Sequence, residues 1–547
     1  MTQIPASKLP IYFCRILTFV ALFFAQQEFL DAETKTQIKA REWMKERNLF
    51  MRRPEGFISV PSIAGAQSPA FQQLTTSSLQ SYAEDRLMAG HLLRRLGFGP
   101  NPQELNAVLS TGIPAYVELQ LNPTRIDDSA AIRRLPDPPR DFYADFEWIM
   151  RWYTRMVYSR RQLQEKMTLI WHEHFAAADS KVGVGGFMHQ YEDTLRKNSL
   201  GNFRDLLIAI TKDQAMLVFL DNNFNNGNAF DDNGNRIPPN ENYAREFLQL
   251  FALGTDRLNM DGSVQKGSNG LPIPTYSEKD VKEVSRALTG WYVNYRAGQK
   301  SKFDAGLHDS GKKTILGVTV NGRTGPNGAS EVNDVVDILM KQPTMAPFIS
   351  KILIQKLATE TPSPGYVERV ARVFQQSGGN IRSTVRAILL DTEFYSPAVV
   401  RTQYKEPVEQ FVGALRALGA RTEGVNLIYW TYAAEQLVYY PPSVFSFYPP
   451  GNKHQLINTA LVTIRDRVAD DIVSNAGDTS FDVANFLPKA SPTPSEATDF
   501  IIDALITAPP DPALRSKVLS YFKGQVNEEK VRGAIWLVLC SPDFQRN

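Results

Sequence analysis

The chain of 547 residues is 43% apolar and 22% charged, and its 60 Lys and Arg nearly balance 58 Asp and Glu, leaving a net charge of +2. That apolar content can bury a large core and excludes disorder of the chain as a whole, while the even charge balance argues against nucleic-acid binding, which needs a basic face. A single long apolar run excludes a polytopic membrane protein.

That run is residues 16–25, ILTFVALFFA, preceded by a polar start and Arg15. A positive start followed by a short apolar stretch predicts a secretory signal peptide in residues 1–25. A retained signal anchor is the alternative, although the run is short of the ~20 residues a spanning helix needs. The expected location is therefore periplasmic or secreted. Cys14 lies in this segment and leaves only Cys540, so an internal disulfide, a zinc–thiolate site and CxxC chemistry are excluded from the exported chain.

Residues 26–80 are read as a polar leader, 81–475 as the main helical domain and 476–547 as a C-terminal helical segment packing on it. The first helical pattern is 82–96, with Ala83, Leu87, Leu92 and Leu96 at helical spacing. Asn101-Pro102-Gln103-Glu104 has the form of a capping box, and a further helix starts at Pro114. Residues 141–178 carry a long aromatic helical pattern, and 203–220 read as one buried helix. Asn and Asp dominate a loop over 221–242. Helices are expected at 241–253 and 278–289, short strands at 314–316 and 318–320, and helices again from 331 to about 420. VRAILLDTEFY at 385–395 echoes VRGAIWLVLCSPDFQ at 531–545, which predicts two related helical hairpins. The expected fold class is mainly α, a large multi-helix body with long loops and a few short strands.

Candidate chemistry lies in four places. His172 and His174 have metal-ligand types, but on a helix residues two apart point about 200° apart; a metal site and an aromatic core position both remain open. His308 and Asp309 in a Gly/Lys-rich loop suit a divalent metal, or a base with its orienting partner. In PNENYAREFLQLFALG the apolar face of Tyr243, Phe247, Leu250 and Phe251 implies an enclosed helix. Glu241 and Arg245 then pair at i,i+4, leaving Glu246 to meet Arg286, a histidine or a metal. Glu241, Arg245, Glu246 and Arg286 are accordingly the candidate catalytic residues, and Trp291 and Asn242 the candidate substrate-binding ones. A structural ion-pair network is the competing reading of the same charges. The loop oxygens at 221–242 fail the EF-hand register and fit turn formation as well as calcium. GxSxG, P-loop, GxGxxG and CxxCH motifs are absent from the sequence.

Several blocks together resemble a large bacterial family of unknown function, the DUF1800 family. They are His91–Gly99, Lys166–Phe175, Asn240–Phe247 with Leu253-Gly254, Tyr276–Trp291, His308-Asp309 with Lys313 and Gly317, Lys405-Glu406-Pro407, and Pro442–Tyr448. The resemblance spans roughly residues 85–545. Gln342 stands where members often have His before a Pro, and Glu173 replaces a common Asn. The resemblance implies export and, as a partner, an exported protein of the alkaline-phosphatase-like class; it implies no particular activity. Two functions follow as expectations. One is a periplasmic or secreted hydrolase acting on an extracellular polymer, with a divalent metal as the cofactor these side chains would suit. The other is a non-catalytic scaffold or binding protein. Convergence of the candidate residues in an open cleft favours the first, and closed ion pairs in the core favour the second.

Overall fold

The computed structural model describes residues 76–295, 299–448 and 453–547. The signal peptide and most of the polar leader lie outside the described residues. The described chain is mainly α, with helices accounting for 55% of it and only two small antiparallel strand pairs. None of its helices is long and apolar enough to cross a membrane.

The first helix, Thr76–Leu96, starts six residues earlier than the apolar spacing indicates. Asn101 caps the next helix as expected, its side chain accepting from Glu104 N at 2.9 Å. Glu104 does not reach back to complete a capping box; its carboxylate goes 2.6 Å to Arg416, 312 residues away.

The aromatic pattern of 141–178 forms two helices, Phe146–Tyr158 and Gln162–Phe175. The break is imposed from a distance. Asp128 accepts from the Ser159 hydroxyl at 2.9 Å and from Arg160 N at 2.7 Å, fixing an extended residue between the helices. The 203–220 stretch is likewise two helices, Phe203–Thr211 and Gln214–Phe219, because Asp213 caps the second through Ala215 N.

Lys313–Ile315 pairs with Val318–Val320 through a two-residue turn, Leu316-Gly317. Both turn residues have positive φ, 48° and 79°, the hairpin geometry that matches strand twist. Leucine is a costly residue there, and Asp280 holds it by accepting from Leu316 N at 2.7 Å. A second pair, Trp291–Tyr292 with Lys302–Phe303, was not legible in the sequence pattern.

The echoed segments form helical hairpins, Pro364–Gln376 with Ile381–Leu389 and Pro512–Tyr521 with Glu528–Leu539. Each ends in a turn that buries its phenylalanine, Phe394 or Phe544. The C-terminal helices pack on Thr459–Val473 and Pro407–Leu418. In the stretch 476–480, Asp478 accepts from Glu423 N, Val425 N and Asn426 N, capping the helix Val425–Ala433 from outside it.

Candidate functional site

Two charge centres draw on the candidate and motif residues. The first surrounds Asp309. The capping box Ser277–Asp280 sets the start of the helix Glu278–Ala287, whose last turn presents Arg286. Arg286 grips Asp309 with both arms, Nε to Oδ2 at 2.7 Å and Nη2 to Oδ1 at 3.2 Å. Arg236 from the Asn/Asp loop adds a third contact at 3.0 Å, and Gly311 N donates to Oδ1. Burial acts to raise the Asp309 carboxyl, but the hydrogen bond from Arg286 and its charge hold it below the usual carboxylate value.

Beneath this pair, Lys313 Nζ lies 2.6 Å from Glu331, and both side chains are fully buried. Glu331 also accepts from Arg323 N at 2.8 Å and has His308 Nε2 at 3.2 Å. The other ring nitrogen of His308 faces the Thr289 carbonyl at 3.1 Å. The surrounding backbone leaves no room: a Cβ on Gly328 would come 2.5 Å from the His308 ring, and one on Gly227 2.6 Å from Asp309 Cβ. Two shallow depressions of about 470 and 420 Å³ open nearby, lined by Arg323, Asn327 and Asp334 among others. None of Arg286, His308, Asp309 and Glu331 lines them.

The helix of PNENYAREFLQLFALG is enclosed on one face, but it is α only over Asn242–Glu246 and widens to a π turn over Phe247–Ala252. Arg245 sits at the surface between Glu278, both contacts 2.8 Å, and Glu241 at 3.3 Å. Asn242 donates to Asp221 at 3.0 Å. Glu246 does not meet Arg286, which is occupied by Asp309 and Glu283. It is half-buried, and that burial raises its carboxyl above the ordinary value. Trp291 packs edge-on against Phe303 at 5.4 Å with Lys212 over its ring, and only 8% of it is exposed, so it is a core residue rather than a pocket wall. The loop oxygens of 221–242 are spent on turns: Asp231 accepts from Asn233 N and Asn235 N, and the Asn225 side chain both donates to the Asn240 carbonyl and accepts from Asn240 N. Because the Arg245 pairs are exposed, Glu278→Ala is expected to leave the urea unfolding midpoint essentially unmoved.

The two histidines diverge as helix geometry requires. His172 is fully buried among Trp152, Tyr191 and Tyr439, and its Nε2 accepts from Tyr439 N at 3.2 Å. Burial pushes it down to about 3. His174 bonds the Phe251 carbonyl at 3.0 Å and is pushed down to about 4, again by burial. Neither meets His308 or Asp309, so the expected joint site of His172, His174, His308 and Asp309 across a cleft is not formed. Among the described residues, no three His, Cys, Asp or Glu side chains are placed to hold a metal.

The second centre was missed in the sequence. Glu173, between the two histidines, accepts from Lys356 Nζ at 2.6 Å. Lys356 also reaches Glu406 at 3.4 Å, and Gln436 Nε2 bridges the two carboxylates at 3.2 and 2.7 Å. Alongside, Lys166 pairs with Glu409, which also accepts from Glu406 N. Three blocks of the resemblance thus meet here: 166–175, 405–407 and, through the Tyr448 carbonyl on Lys356 at 3.5 Å, 442–448. Glu173 is pushed up to about 7 by burial and by the charge of Glu406, against the pull of Lys356. Burial works against the Lys356 ammonium, but the two carboxylates hold its pKa above the usual lysine value.

Asp213 is a separate buried carboxyl, pushed up to about 7 by burial. Its folded pKa lies above the unfolded value of about 3.9, so the folded state keeps a proton that the unfolded state releases. Stability from this group is therefore full below about pH 4, falls as pH rises towards 7 and then levels. Asp213→Asn keeps the acceptor for Ala215 N and can donate to the Thr194 hydroxyl. It is expected to be near neutral at pH 4 and to gain about 2–4 kcal/mol at pH 8, read from urea unfolding at both pH values.

Comparison with known proteins adds one finding. The family model described as a protein of unknown function (DUF1800) matches residues 91–546, so the chain belongs to that family. Neither curated proteins nor solved structures give a match.

Proposed function

We propose that this DUF1800 member is an exported helical scaffold or binding protein that works with an exported alkaline-phosphatase-like partner. The observation that carries this reading is the closure of its charged signature residues on one another. Arg286 on Asp309, Lys313 on Glu331 and Lys356 on Glu173 are side chain to side chain, and the acidic member of each pair is at most 4% exposed. Buried groups so paired fix how helices pack and leave little for a substrate to touch. Export is supported by the apolar run after Arg15, and the partner class by the family resemblance.

A periplasmic hydrolase acting on an extracellular polymer is the second reading. The Glu173–Glu406 pair supports it, because a carboxyl pushed up to about 7 exchanges a proton near neutrality, as a general acid or base must.

The test is purification of the tagged full chain from the periplasm. The scaffold reading expects the alkaline-phosphatase-like protein to co-purify, identified by mass spectrometry, and expects no cleavage of extracellular polysaccharide or peptide polymers. Polymer cleavage lost in Glu173→Gln, with the thermal midpoint unmoved, would instead establish the hydrolase.

A further inference from the structure

Three arginines, Arg94, Arg401 and Arg465, gather around Lys405 where the C-terminal helices meet the first helix. Arg94 is in the last turn of the helix Thr76–Leu96, Arg401 sits in a turn at φ 59°, Lys405 lies two residues before Pro407, and Arg465 is in the helix Thr459–Val473. Arg94, Lys405 and Arg465 are 3%, 5% and 2% exposed. Their bonds are mostly to neutral groups. Arg94 donates to the Ile506 carbonyl at 2.8 Å and the Thr507 hydroxyl at 2.6 Å. Arg465 donates to Gln545 at 3.1 Å and to the Lys405 carbonyl at 2.9 Å. The Lys405 ammonium lies 3.8 Å from the centre of the Phe544 ring. Arg401 alone of the four bonds a carboxylate, Asp543 at 3.1 Å. Glu409, the acid that acts on Lys405, is paired with Lys166 and accepts from Asn547.

The donors are left over as well as the charge. Arg94 Nε and Nη2, Arg401 Nη1 and Arg465 Nε are buried without a hydrogen-bond partner, as is His91 Nδ1 beside Arg94. Burial first, then Arg94 and Arg401, push the Lys405 ammonium well below the usual lysine value. Leaving several cations and their N–H groups unmatched inside a protein is strongly unfavourable. A polyvalent acceptor removes that cost, and guanidinium donors suit the oxygens of a tetrahedral oxyanion.

We propose that Arg94, Arg401, Lys405 and Arg465 form a buried binding site for a tetrahedral oxyanion, a phosphate or sulfate group. The site is independent of whether the chain is a scaffold or a hydrolase. Its occupant neutralises the cluster and locks the C-terminal helices onto the first helix.

The test uses the full chain purified in chloride. Inorganic phosphate or sulfate is expected to raise the thermal midpoint by several degrees over chloride of matched ionic strength, or native mass spectrometry to show one such group already bound. The mass released on denaturation separates a free ion from a phosphoryl or sulfuryl group carried by a larger molecule. Lys405→Met is expected to weaken binding at least tenfold, yet in chloride to melt no lower than wild type, since it removes an unmatched charge. Arg94→Met, read in the same assays, is expected to weaken binding likewise. No adduct and no shift, or an adduct and shift that persist in both variants, would overturn the proposal. So would a Lys405→Met chain that melts well below wild type in chloride, because the ammonium would then be paired within the protein.

Discussion

Lys356→Met is expected to lower the unfolding free energy by about 3–5 kcal/mol, the cost of stripping the partner from a buried ion pair. Lys356 stands between Glu173 and Glu406, and the three side chains are 10%, 4% and 5% exposed. Methionine matches its length and keeps the packing of the apolar helix Met345–Leu357. What changes is charge: two carboxylates then face each other with Gln436 between them. One must take up a proton to fold, and loss of the Lys356 charge raises that carboxyl further, so the deficit should shrink as pH falls and widen as pH rises. Adding Glu173→Gln and Glu406→Gln to Lys356→Met removes the uncompensated charges and should recover part of the loss. Urea unfolding at pH 5 and pH 8 reads both effects.

Glu331→Gln is expected to cost a similar amount, about 3–5 kcal/mol. Both oxygens of Glu331 accept: one from Lys313, the other from Arg323 N, with His308 Nε2 beside it. Glutamine keeps one acceptor and turns an NH₂ towards a donor, while the fully buried Lys313 loses its counter-charge. Burial acts to raise the Glu331 carboxyl, yet His308 and Lys313 hold it below the ordinary value. A depressed folded pKa gives stability that is present above the unfolded value and lost as pH falls through the folded one. The deficit of Glu331→Gln should therefore persist at neutral pH and narrow in acid, which urea titration across the acid range measures.

The helices were legible because their apolar spacing and caps are local. Asn101 and Pro114 each announce a helix start that the structure contains. The breaks were not legible where a distant residue makes them. Asp128 holds the break in 141–178 from more than thirty positions upstream, and the one local mark of it is Ser159, whose hydroxyl accepts from Arg161 N at 3.0 Å. The same division holds at the site. Arg286, His308 and Asp309 were singled out and do come together, but their closing partners Glu331 and Lys313 were not chosen as site residues. Glu331 reads as an ordinary acid in the first turn of a helix. Glu246 was left to meet Arg286, a histidine or a metal because Glu241 and Arg245 pair with each other, whereas Asp309, with both oxygens available for a fork, is the better match for the Arg286 guanidinium.

The Glu173 centre was missed because the histidines on either side of it drew attention as ligands. A signal was present in Lys356. It is a lysine on the apolar face of MAPFISKILIQKL, and such a lysine needs an acidic partner somewhere in the fold. Which acid it meets is set by tertiary packing over 183 residues of separation from Glu173, beyond the reach of spacing rules.

The central claim is that the charged signature residues hold the fold together. A double-mutant cycle between Lys356 and Glu173, built from Lys356→Met, Glu173→Gln and the double variant, measures that directly by urea unfolding at neutral pH. The account predicts a coupling energy of about 2–3 kcal/mol, with the double variant more stable than Lys356→Met alone. A coupling below about 0.5 kcal/mol, with each single variant as stable as wild type, would contradict it.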